Sequence, residues 1–234
     1  MKDFGSRYTD QYFENRLQND EIRISCFKQE KYFIQKQLAT ISGLPLTDDI
    51  ELNGIVCDVG CSTGEFLQAV NWSGQKFGME INANAKLIAQ KSGINFEKNI
   101  LNQTGFFDVV IFRGTIQHLP EPFHYISQAW KALKDGGVII FLATPNANSI
   151  VYKIFNTLPA LCPELNFYIP SDISLTNILK NFDFKLLKID YPYMNSPYAN
   201  FVPDHINFVK SVILRREPKF PFWKNMMNLI AQKQ

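Results

Sequence analysis

The feature that most constrains the fold is a short apolar segment that ends in two closely spaced glycines. Residues 54–59 form an apolar run that predicts a buried strand, and residues 65–72 carry a helical pattern. Gly60 and Gly64 lie between them. Glycine lets the backbone approach a ligand closely, and free amides at a helix start favour polar or anionic groups. This strand–turn–helix predicts a ligand site at the carboxyl end of a strand.

Strands and helices alternate along the rest of the chain. Further strands are predicted at 76–80, 95–97, 107–112, 138–143, 184–191 and 226–232. Helices are predicted at 20–41, 83–92, 122–133 and 175–181. The alternation predicts an α/β, doubly wound parallel sheet with helices on both faces. Residues 144–170 and 192–224 interrupt it and are rich in Pro, Tyr, Phe and Asn, which is typical of functional loops or caps.

Composition excludes several other classes of protein. A chain of 234 residues with 46% hydrophobic residues suits one domain. Its net charge of +2 gives no electrostatic reason to expect nucleic-acid binding. No run of about 18 apolar residues occurs, and the first residues lack the apolar core of a signal peptide. We therefore expect a cytoplasmic protein without stable membrane insertion.

The cysteines and histidines show no metal-binding pattern. The four cysteines are Cys26, Cys57, Cys61 and Cys162, and none belongs to a CxxC pair. The three histidines are His118, His124 and His205. Because zinc sites need closely spaced ligands, we expect no metal ion and reduced thiols.

An acidic residue stands where a ribose-binding group is expected. Glu80 follows Gly60 by 20 residues and ends the second predicted strand. An acid at that place accepts hydrogen bonds from ribose hydroxyls. The glycine spacing is G-x-x-x-G, which differs from the G-x-G-x-x-G fingerprint of dinucleotide-binding proteins. The spacing therefore disfavours a nicotinamide-dependent oxidoreductase.

Several motifs, in the same order along the chain, resemble those of class I S-adenosylmethionine (SAM)-dependent methyltransferases. Residues 58–64, D-V-G-C-S-T-G, resemble the family's [DE]-x-G-x-G-x-G motif, with Ser62 in place of the middle glycine. Glu80 matches the family's ribose-binding acid. Residues 107–111 resemble its F-D-x-V strand, and residues 113–119 its segment lining the SAM pocket.

Two later segments extend this resemblance. Residues 133–140 resemble the family's L-K-P-G-G-x-L-x-I segment, and residues 228–233 its antiparallel last strand. The resemblance implies a Rossmann-like, mostly parallel seven-stranded sheet with a helical N-terminal segment and a cap before the last strand. It implies one domain over 1–234. Its parts are an N-terminal segment (1–53), a SAM-binding half (54–143), an acceptor-side half (144–224) and the last strand (225–234).

The resemblance also implies a set of residues that bind SAM. In this chain they are Tyr8, Tyr12, Arg16, Asp58, Gly60, Cys61, Ser62, Gly64, Glu80, Ile81, Asn99, Ile100, Arg113, Gly114, Thr115 and His118. The three N-terminal residues are candidates for the methionine carboxylate, and Asn99 and Ile100 for the adenine pocket. Asp58 has an alternative role in holding loop amides, and Arg113 one in a surface ion pair.

Two histidines are candidate catalytic bases. His118 follows the fourth predicted strand, and its type of side chain titrates near neutrality. Its alternative is a structural hydrogen bond to backbone at the pocket wall. His205 follows Asp204 within the 192–224 interruption, where an acid could orient it.

The acceptor is predicted from the interruptions. Their aromatic and amide side chains suit a polar small molecule: Tyr191, Tyr193, Asn195, Tyr198, Asn200, His205 and Asn207. The segment is also similar to methyltransferases encoded with bacterial surface-polysaccharide genes. This second resemblance implies O-methylation of a sugar, nucleotide-linked or phosphoramidate-type intermediate of capsule or lipopolysaccharide biosynthesis.

Two alternatives remain open at this point. One is a methyltransferase acting on a quinone or lipid-like precursor, and the other is a catalytically idle SAM-binding interaction module. Residues 220–223, Phe-Pro-Phe-Trp, allow either membrane contact or packing. Because the stretch lacks a clear cationic face, we expect packing. The oligomeric state is not predicted.

Overall fold

The computed structural model describes residues 20–43, 51–159, 161, 164–194, 196–197, 199–218 and 222–234. Six strands of the described chain form one sheet in the order β2-β1-β3-β4-β6-β5. They are β1 (Val56–Val59), β2 (Lys76–Met79), β3 (Phe107–Arg113), β4 (Leu133–Pro145), β5 (Phe184–Asp190) and β6 (Met226–Lys233).

Helices connect these strands and begin with α1 ahead of the sheet. They are α1 (Asp20–Ser42), α2 (Glu65–Ala69), α3 (Ala83–Lys91), α4 (Pro122–Ala132), α5 (Ile150–Phe155), α6 (Asp172–Asn181) and α7 (Phe201–Leu214). Short 3₁₀ turns lie at Ile100–Asn102 and Ile116–His118. Helices α5 and α7 lie in the two predicted interruptions of the alternating pattern.

The strand directions confirm the predicted Rossmann-like sheet with an antiparallel last strand. β1 pairs in parallel with β2 and β3, and β3 pairs in parallel with β4. β6 runs antiparallel to both of its neighbours, β4 and β5. The carboxyl ends of β1, β2 and β3 consequently meet at one edge of the sheet.

In the described residues the sheet has six strands, whereas seven were predicted. The missing strand is the one expected at 95–97, which the structure reduces to a single bridge between Asn95 and Phe77. Two backbone bonds fix this bridge, from Gly78 N to Asn95 O at 2.9 Å and from Asn95 N to Lys76 O at 2.8 Å. The pairing stops there, and at Asn99 the backbone takes φ +56°.

Helix α2 is also shorter than predicted, ending at Ala69 rather than at Trp72. Asn71 takes a left-handed conformation with φ +54°. The buried Trp72 side chain then donates its Nε1–H to Gly54 O at 3.0 Å. The indole therefore closes the start of β1 instead of extending the helix.

Both faces of the sheet are covered by packed apolar side chains. Val110 and Phe112 of β3 lie in the core cluster with α4 and α6, whereas Val109 and Ile111 lie in the cluster with α1, α2 and α3. Successive side chains of a strand point to opposite faces, so this division shows a sheet buried on both sides. Such burial accounts for the near-continuous apolar runs in the sequence.

Candidate active site

A cavity of about 250 Å³ lies at the carboxyl ends of β1, β2 and β3. The described residues that line it are Val59, Gly60, Ser62, Gly78, Met79, Glu80, Ile81, Lys86, Phe96, Glu97, Asn99, Ile100, Arg113, Gly114, Thr115, His118, Leu119 and Tyr125. Ligands of open α/β sheets bind at this edge. The cavity therefore occupies the place that the glycine turn predicted.

Two glycines bring backbone close to the cavity wall. Gly60 has φ +78°, and a Cβ there would lie 2.6 Å from atoms of Thr115. A Cβ at Gly78 would lie 2.6 Å from Cys61 Sγ and 3.0 Å from Phe96 Cζ. Real Cβ atoms do not tolerate such contacts, so both positions require glycine. The backbone at both glycines is consequently packed closely against neighbouring side chains.

Ser62 occupies a backbone position that favours glycine. Its φ is +53°, in the left-handed region. A side chain costs roughly 1–2 kcal/mol in that conformation. The turn thus keeps its geometry although the middle glycine of the motif is replaced.

Glu80 is held rigidly at the cavity wall by backbone amides. Its Oε2 accepts from Ser62 N–H at 3.0 Å, and its Oε1 accepts from the N–H groups of Ile81 and Asn82 at 2.8 Å each. These bonds tie the end of β2 to the turn after β1. They fix a carboxylate where a ligand hydroxyl can donate to it.

Arg113 connects the end of β3 to the N-terminal helix. Its Nε donates to Glu30 Oε2 at 2.7 Å, and its guanidinium lies 4.5 Å from the Phe27 ring centre and 5.4 Å from that of Phe66. Burial raises the pKa of Glu30, and the Arg113 charge opposes that shift. The pair therefore fastens α1 over the β1–α2 turn while Arg113 still lines the cavity.

Asp58 lies beneath the glycine turn rather than on the cavity wall. Its side chain is buried, and Oδ1 has no hydrogen-bond partner among the described residues. Burial raises the pKa of Asp58 to about 7; Arg113 opposes this shift, and the Glu80 and Glu30 charges add to it. Asp58 is thus a buried acid under the turn and does not line the cavity.

His118 presents its ring to the cavity from the turn after β3. Its Nδ1 lies 3.1 Å from Leu165 O. A carbonyl can only accept, so Nδ1 carries the hydrogen of that bond. In the neutral ring, Nε2 then holds the lone pair, which is the form required of a base.

The structure places ten of the predicted cofactor residues on the cavity wall. They are Gly60, Ser62, Glu80, Ile81, Asn99, Ile100, Arg113, Gly114, Thr115 and His118. Cys61 and Gly64 do not line it: Cys61 packs under Gly78, and Gly64 packs against Ile94. Burial, reinforced by the Asp58 charge, raises the pKa of the Cys61 thiol, so the thiol stays protonated.

The remaining predicted site residues lie elsewhere. His205 is part of α7, where its Nδ1 lies 2.7 Å from Phe201 O and its ring packs 5.1 Å from that of Phe222. It does not line the cavity. Tyr8, Tyr12 and Arg16 lie outside the described residues.

Several lining residues were not predicted from the sequence. Gly78 and Met79 are the last two residues of β2 and immediately precede Glu80. Their position next to Glu80 in the sequence could have predicted that they line the site. Phe96 and Glu97 follow the bridge residue Asn95. Lys86 and Tyr125 also reach the cavity, and so does Leu119, the last residue of the predicted pocket segment 113–119.

These residues fit SAM. The Glu80 carboxylate suits the ribose hydroxyls, and Gly60 and Ser62 of the glycine turn line the cavity beside it. Phe96, Ile100 and Tyr125 provide an apolar wall for a flat ring. The polar ribose and the flat ring of one ligand thus each have a counterpart here.

Two further findings concern metal ions and membranes. In the part of the chain that the structure describes, no group of three or more His, Cys, Asp and Glu side chains is arranged to hold a metal ion. Across the same residues, each helix is too short or too polar to cross a bilayer.

Comparison with known proteins identifies relatives of this chain. The family model described as "Methyltransferase domain" matches residues 27–189. The mitochondrial ubiquinone biosynthesis O-methyltransferase of Saccharomyces cerevisiae is 24% identical over 216 residues, covering 80% of this chain and 69% of that protein. The ubiquinone biosynthesis O-methyltransferase of Erwinia tasmaniensis is 31% identical over 106 residues, covering 40% of this chain and 43% of that protein.

A solved structure shows the same fold. It is a SAM-dependent methyltransferase from Thermotoga maritima with a TM-score of 0.58 and 16% sequence identity. The match covers 98% of this chain and 97% of that chain. The fold therefore matches over nearly the whole length, although few residues are identical.

Proposed function

The chain belongs to the methyltransferase domain family with SAM as its cofactor, and from this premise we propose that it methylates an oxygen of a small aromatic acceptor. The preferred acceptor is a reduced quinone or a related phenolic precursor that carries an apolar tail. The first two relatives described above are O-methyltransferases of ubiquinone biosynthesis, which supports this class of acceptor.

The single observation that carries the oxygen acceptor is the orientation of His118. The bond between its Nδ1 and Leu165 O directs Nε2 as the basic atom of a ring that lines the cavity. A phenolic hydroxyl is a weak nucleophile until its proton is taken, and a positioned histidine does this near neutral pH. Amines that are already neutral have less need of such a base.

The chain's own residues position the reactants and accept one proton. Bound SAM supplies a methyl group on a cationic sulfur. Glu80 holds the ribose, and the turn at Gly60 fixes the position of the donor. His118 Nε2 takes the acceptor's hydroxyl proton, and the bound reactants are held in the geometry that the transfer needs.

The surface-glycan acceptor expected from the interruptions has no support among these relatives. Two of its supporting side chains have structural partners instead. Tyr191 OH donates to Asp172 Oδ2 at 2.5 Å, and Tyr193 OH donates to Asp204 Oδ2 at 2.5 Å. Hydroxyl groups committed to these carboxylates are poor candidates for sugar recognition, so we rank the quinone class first.

The cofactor is tested by thermal unfolding with SAM, with S-adenosylhomocysteine and with NADH. A ligand at about 100 times its Kd stabilises the folded state by roughly 2.7 kcal/mol, which is about 5–10 °C for a chain of this size. We expect shifts with both sulfur compounds and none with NADH. Glu80→Gln reduces both shifts, and the exposed Asp135→Asn retains them.

The acceptor is tested with SAM carrying a radiolabelled methyl group. 4-Octylcatechol represents the phenolic class with an apolar tail, and UDP-glucose represents the sugar class. Label in the catechol fraction supports the proposal. Label in UDP-glucose alone, or thermal shifts without transfer to either compound, would contradict it.

A further inference from the structure

Helix α7 has its apolar side exposed. Four aliphatic residues spaced by four, three and four positions form one stripe along it: Val202, Ile206, Val209 and Ile213. Their side chains are 63%, 50%, 55% and 73% exposed. A helix on the surface of a globular protein normally turns such a stripe towards the core. A contiguous exposed apolar stripe marks an interaction surface.

The orientation of α7 is fixed by polar and aromatic contacts on its inner side. Asp204 is buried and accepts from Tyr193 OH at 2.5 Å and from Asn200 N–H at 2.8 Å. Phe208 stacks on Phe222 with ring centres 4.6 Å apart. Rotating the helix to bury the stripe would break these contacts and expose the aromatic pair. The outward direction of the stripe is therefore built into the fold.

Aromatic exposure continues beside the helix. Phe222 is buried, as the packing interpretation of 220–223 predicted, but the next residue, Trp223, is 56% exposed. Phe201 at the start of α7 is 53% exposed. Aromatic side chains of this kind favour the boundary between headgroups and acyl chains of a bilayer.

The basic excess of the chain is concentrated around this stripe. Residues 201–224 contain five Lys and Arg residues but two acids, whereas the rest of the chain has 19 basic and 20 acidic residues. One of the two acids is Asp204, which is buried and hydrogen-bonded. Lys210 lies on the helix itself, and Arg215 and Arg216 are exposed directly after it. An apolar stripe flanked by positive charge is complementary to an anionic lipid surface.

We propose that α7 binds peripherally to anionic lipid bilayers, lying in the headgroup region with its apolar stripe towards the acyl chains. The stripe from Val202 to Ile213 is roughly 17 Å long, which is about half of the hydrocarbon thickness, so the helix lies along the surface rather than across it. This binding does not depend on methyl transfer. It would bring the cavity to acceptors that reside in a membrane.

The test measures cosedimentation of the full chain with sucrose-loaded vesicles. Vesicles of phosphatidylcholine with 30% phosphatidylglycerol should bind the protein, and pure phosphatidylcholine should bind it much less. Ile206→Asn/Ile213→Asn should weaken binding at least tenfold, because it places two polar groups in the buried stripe. The matched control is Leu87→Asn/Ile173→Asn, which changes two residues that are 56% and 59% exposed on other helices and should bind normally.

A charge variant and a sedimentation measurement complete the test. Arg215→Gln/Arg216→Gln should reduce binding to the anionic vesicles by about fivefold per charge removed. Equal loss in the control pair, or no binding to anionic vesicles, would overturn the proposal. A dimer in analytical ultracentrifugation that the stripe variant converts to monomer, without vesicle binding, would identify a second copy of this chain as the occupant instead.

The outcome is separable from the proposed function. Vesicle binding is measured without SAM or acceptor, and transfer to 4-octylcatechol is measured without vesicles. A chain that binds vesicles but methylates neither test acceptor keeps this inference and loses the quinone-type acceptor. A chain that methylates the catechol but does not bind the vesicles supports the quinone-type acceptor and overturns this inference.

Discussion

Ser62 shows at the scale of one residue how the cofactor turn carries conformational strain. Its φ of +53° places a side chain in the left-handed region. We predict that Ser62→Gly raises the stability of the free protein by about 1 kcal/mol, since the strain is relieved and glycine's extra chain entropy offsets only part of it. Denaturant unfolding measures the change.

Ser62→Ala is the matched control for that substitution. Alanine keeps the Cβ and therefore the strain, so its stability should stay close to that of the original chain or below it. Equal stabilisation by alanine and glycine would show that the serine hydroxyl, and not the backbone conformation, sets the cost.

His118 gives the second prediction at this scale. In His118→Asn, the side-chain amide can still donate to Leu165 O as Nδ1 does, but no basic atom replaces Nε2. We expect kcat for the phenolic acceptor to fall by roughly 10²–10⁴-fold, because general base catalysis contributes that much. The Kd for SAM, measured by calorimetry, should change far less.

The pH profile separates this role from a structural one. The original chain should lose activity as acid protonates His118, and the residual activity of the asparagine variant should lack that titration. A variant that retains kcat, or one that loses SAM affinity in proportion to kcat, would refute the role of base.

The sequence predicted the residues of this site where a motif joined spacing to chemistry. Gly60 and Glu80 are examples, because turn geometry and a strand-end acid are both local properties. Lys86 and Tyr125 were not predicted, since they come from helices whose rotation about the sheet is set by packing. His205 was chosen for its neighbour Asp204, but that acid bonds Tyr193 instead.

At the scale of elements, a buried carboxylate joins α6, the residue that directly follows β5, and the loop after β4. Asp172 accepts from Tyr191 OH at 2.5 Å, from Asn148 Nδ2 at 2.8 Å and from Ile173 N–H at 2.8 Å. Burial alone would raise the pKa of Asp172, but these hydrogen bonds together lower it below its ordinary value. The ionised acid therefore holds three elements together on the acceptor side of the sheet.

We predict that Tyr191→Phe destabilises the protein by about 1.5–3 kcal/mol at pH 7, which is typical of a hydrogen bond to a charged group. A carboxyl group whose pKa is lower in the folded protein than in the unfolded chain stabilises the fold at pH values above its unfolded pKa, which is near 4. This contribution is lost as the pH falls through the folded pKa. The difference in unfolding free energy between the original chain and Tyr191→Phe should therefore become smaller below about pH 4. Urea unfolding at several pH values measures it.

The half-exposed Tyr32 provides a matched control for the loss of a hydroxyl group. Tyr32→Phe should unfold like the original chain at every pH. A Tyr191→Phe difference that is constant from pH 3 to pH 7 would show that the ionised form of Asp172 contributes nothing to the bond.

The same scale shows which elements the sequence could not delimit. The apolar runs of β3 and β6 predicted their positions because burial on both faces leaves a continuous apolar signal. The strand expected at 95–97 is not formed beyond one bridge, because the local sequence pattern does not reveal how many residues of the neighbouring strand are available for pairing. Helix α2 ended early because Trp72 bonds Gly54, a tertiary contact that outweighs helical preference.

At the scale of the whole molecule, stability should be unevenly distributed. Most residues of the central strands β3 and β4 are buried, whereas α7 is held through Asp204, His205 and Phe208 with most of its surface exposed. Elements with few buried contacts open locally at a lower free energy than the core. We predict that the amides of α7 exchange hydrogen at least tenfold faster than those of β4.

Hydrogen–deuterium exchange with mass spectrometry measures this hierarchy in the free protein and again with anionic vesicles. Protection of α7 should rise with vesicles while that of β4 stays unchanged. Protection of α7 equal to that of β4 in the free protein would show that the helix is already covered in solution.

The position of β6 between β4 and β5 sets an order of events during synthesis on the ribosome. Among the described strands, β5 pairs with β6 alone, yet it precedes β6 in the chain by some 35 residues. Strands β1 to β4 can pair as soon as residue 145 has emerged, but β5 must wait for residues 226–233. Until then the edge of β4 lacks its partner, and a nascent chain stalled within α7 would present that open apolar edge to chaperones.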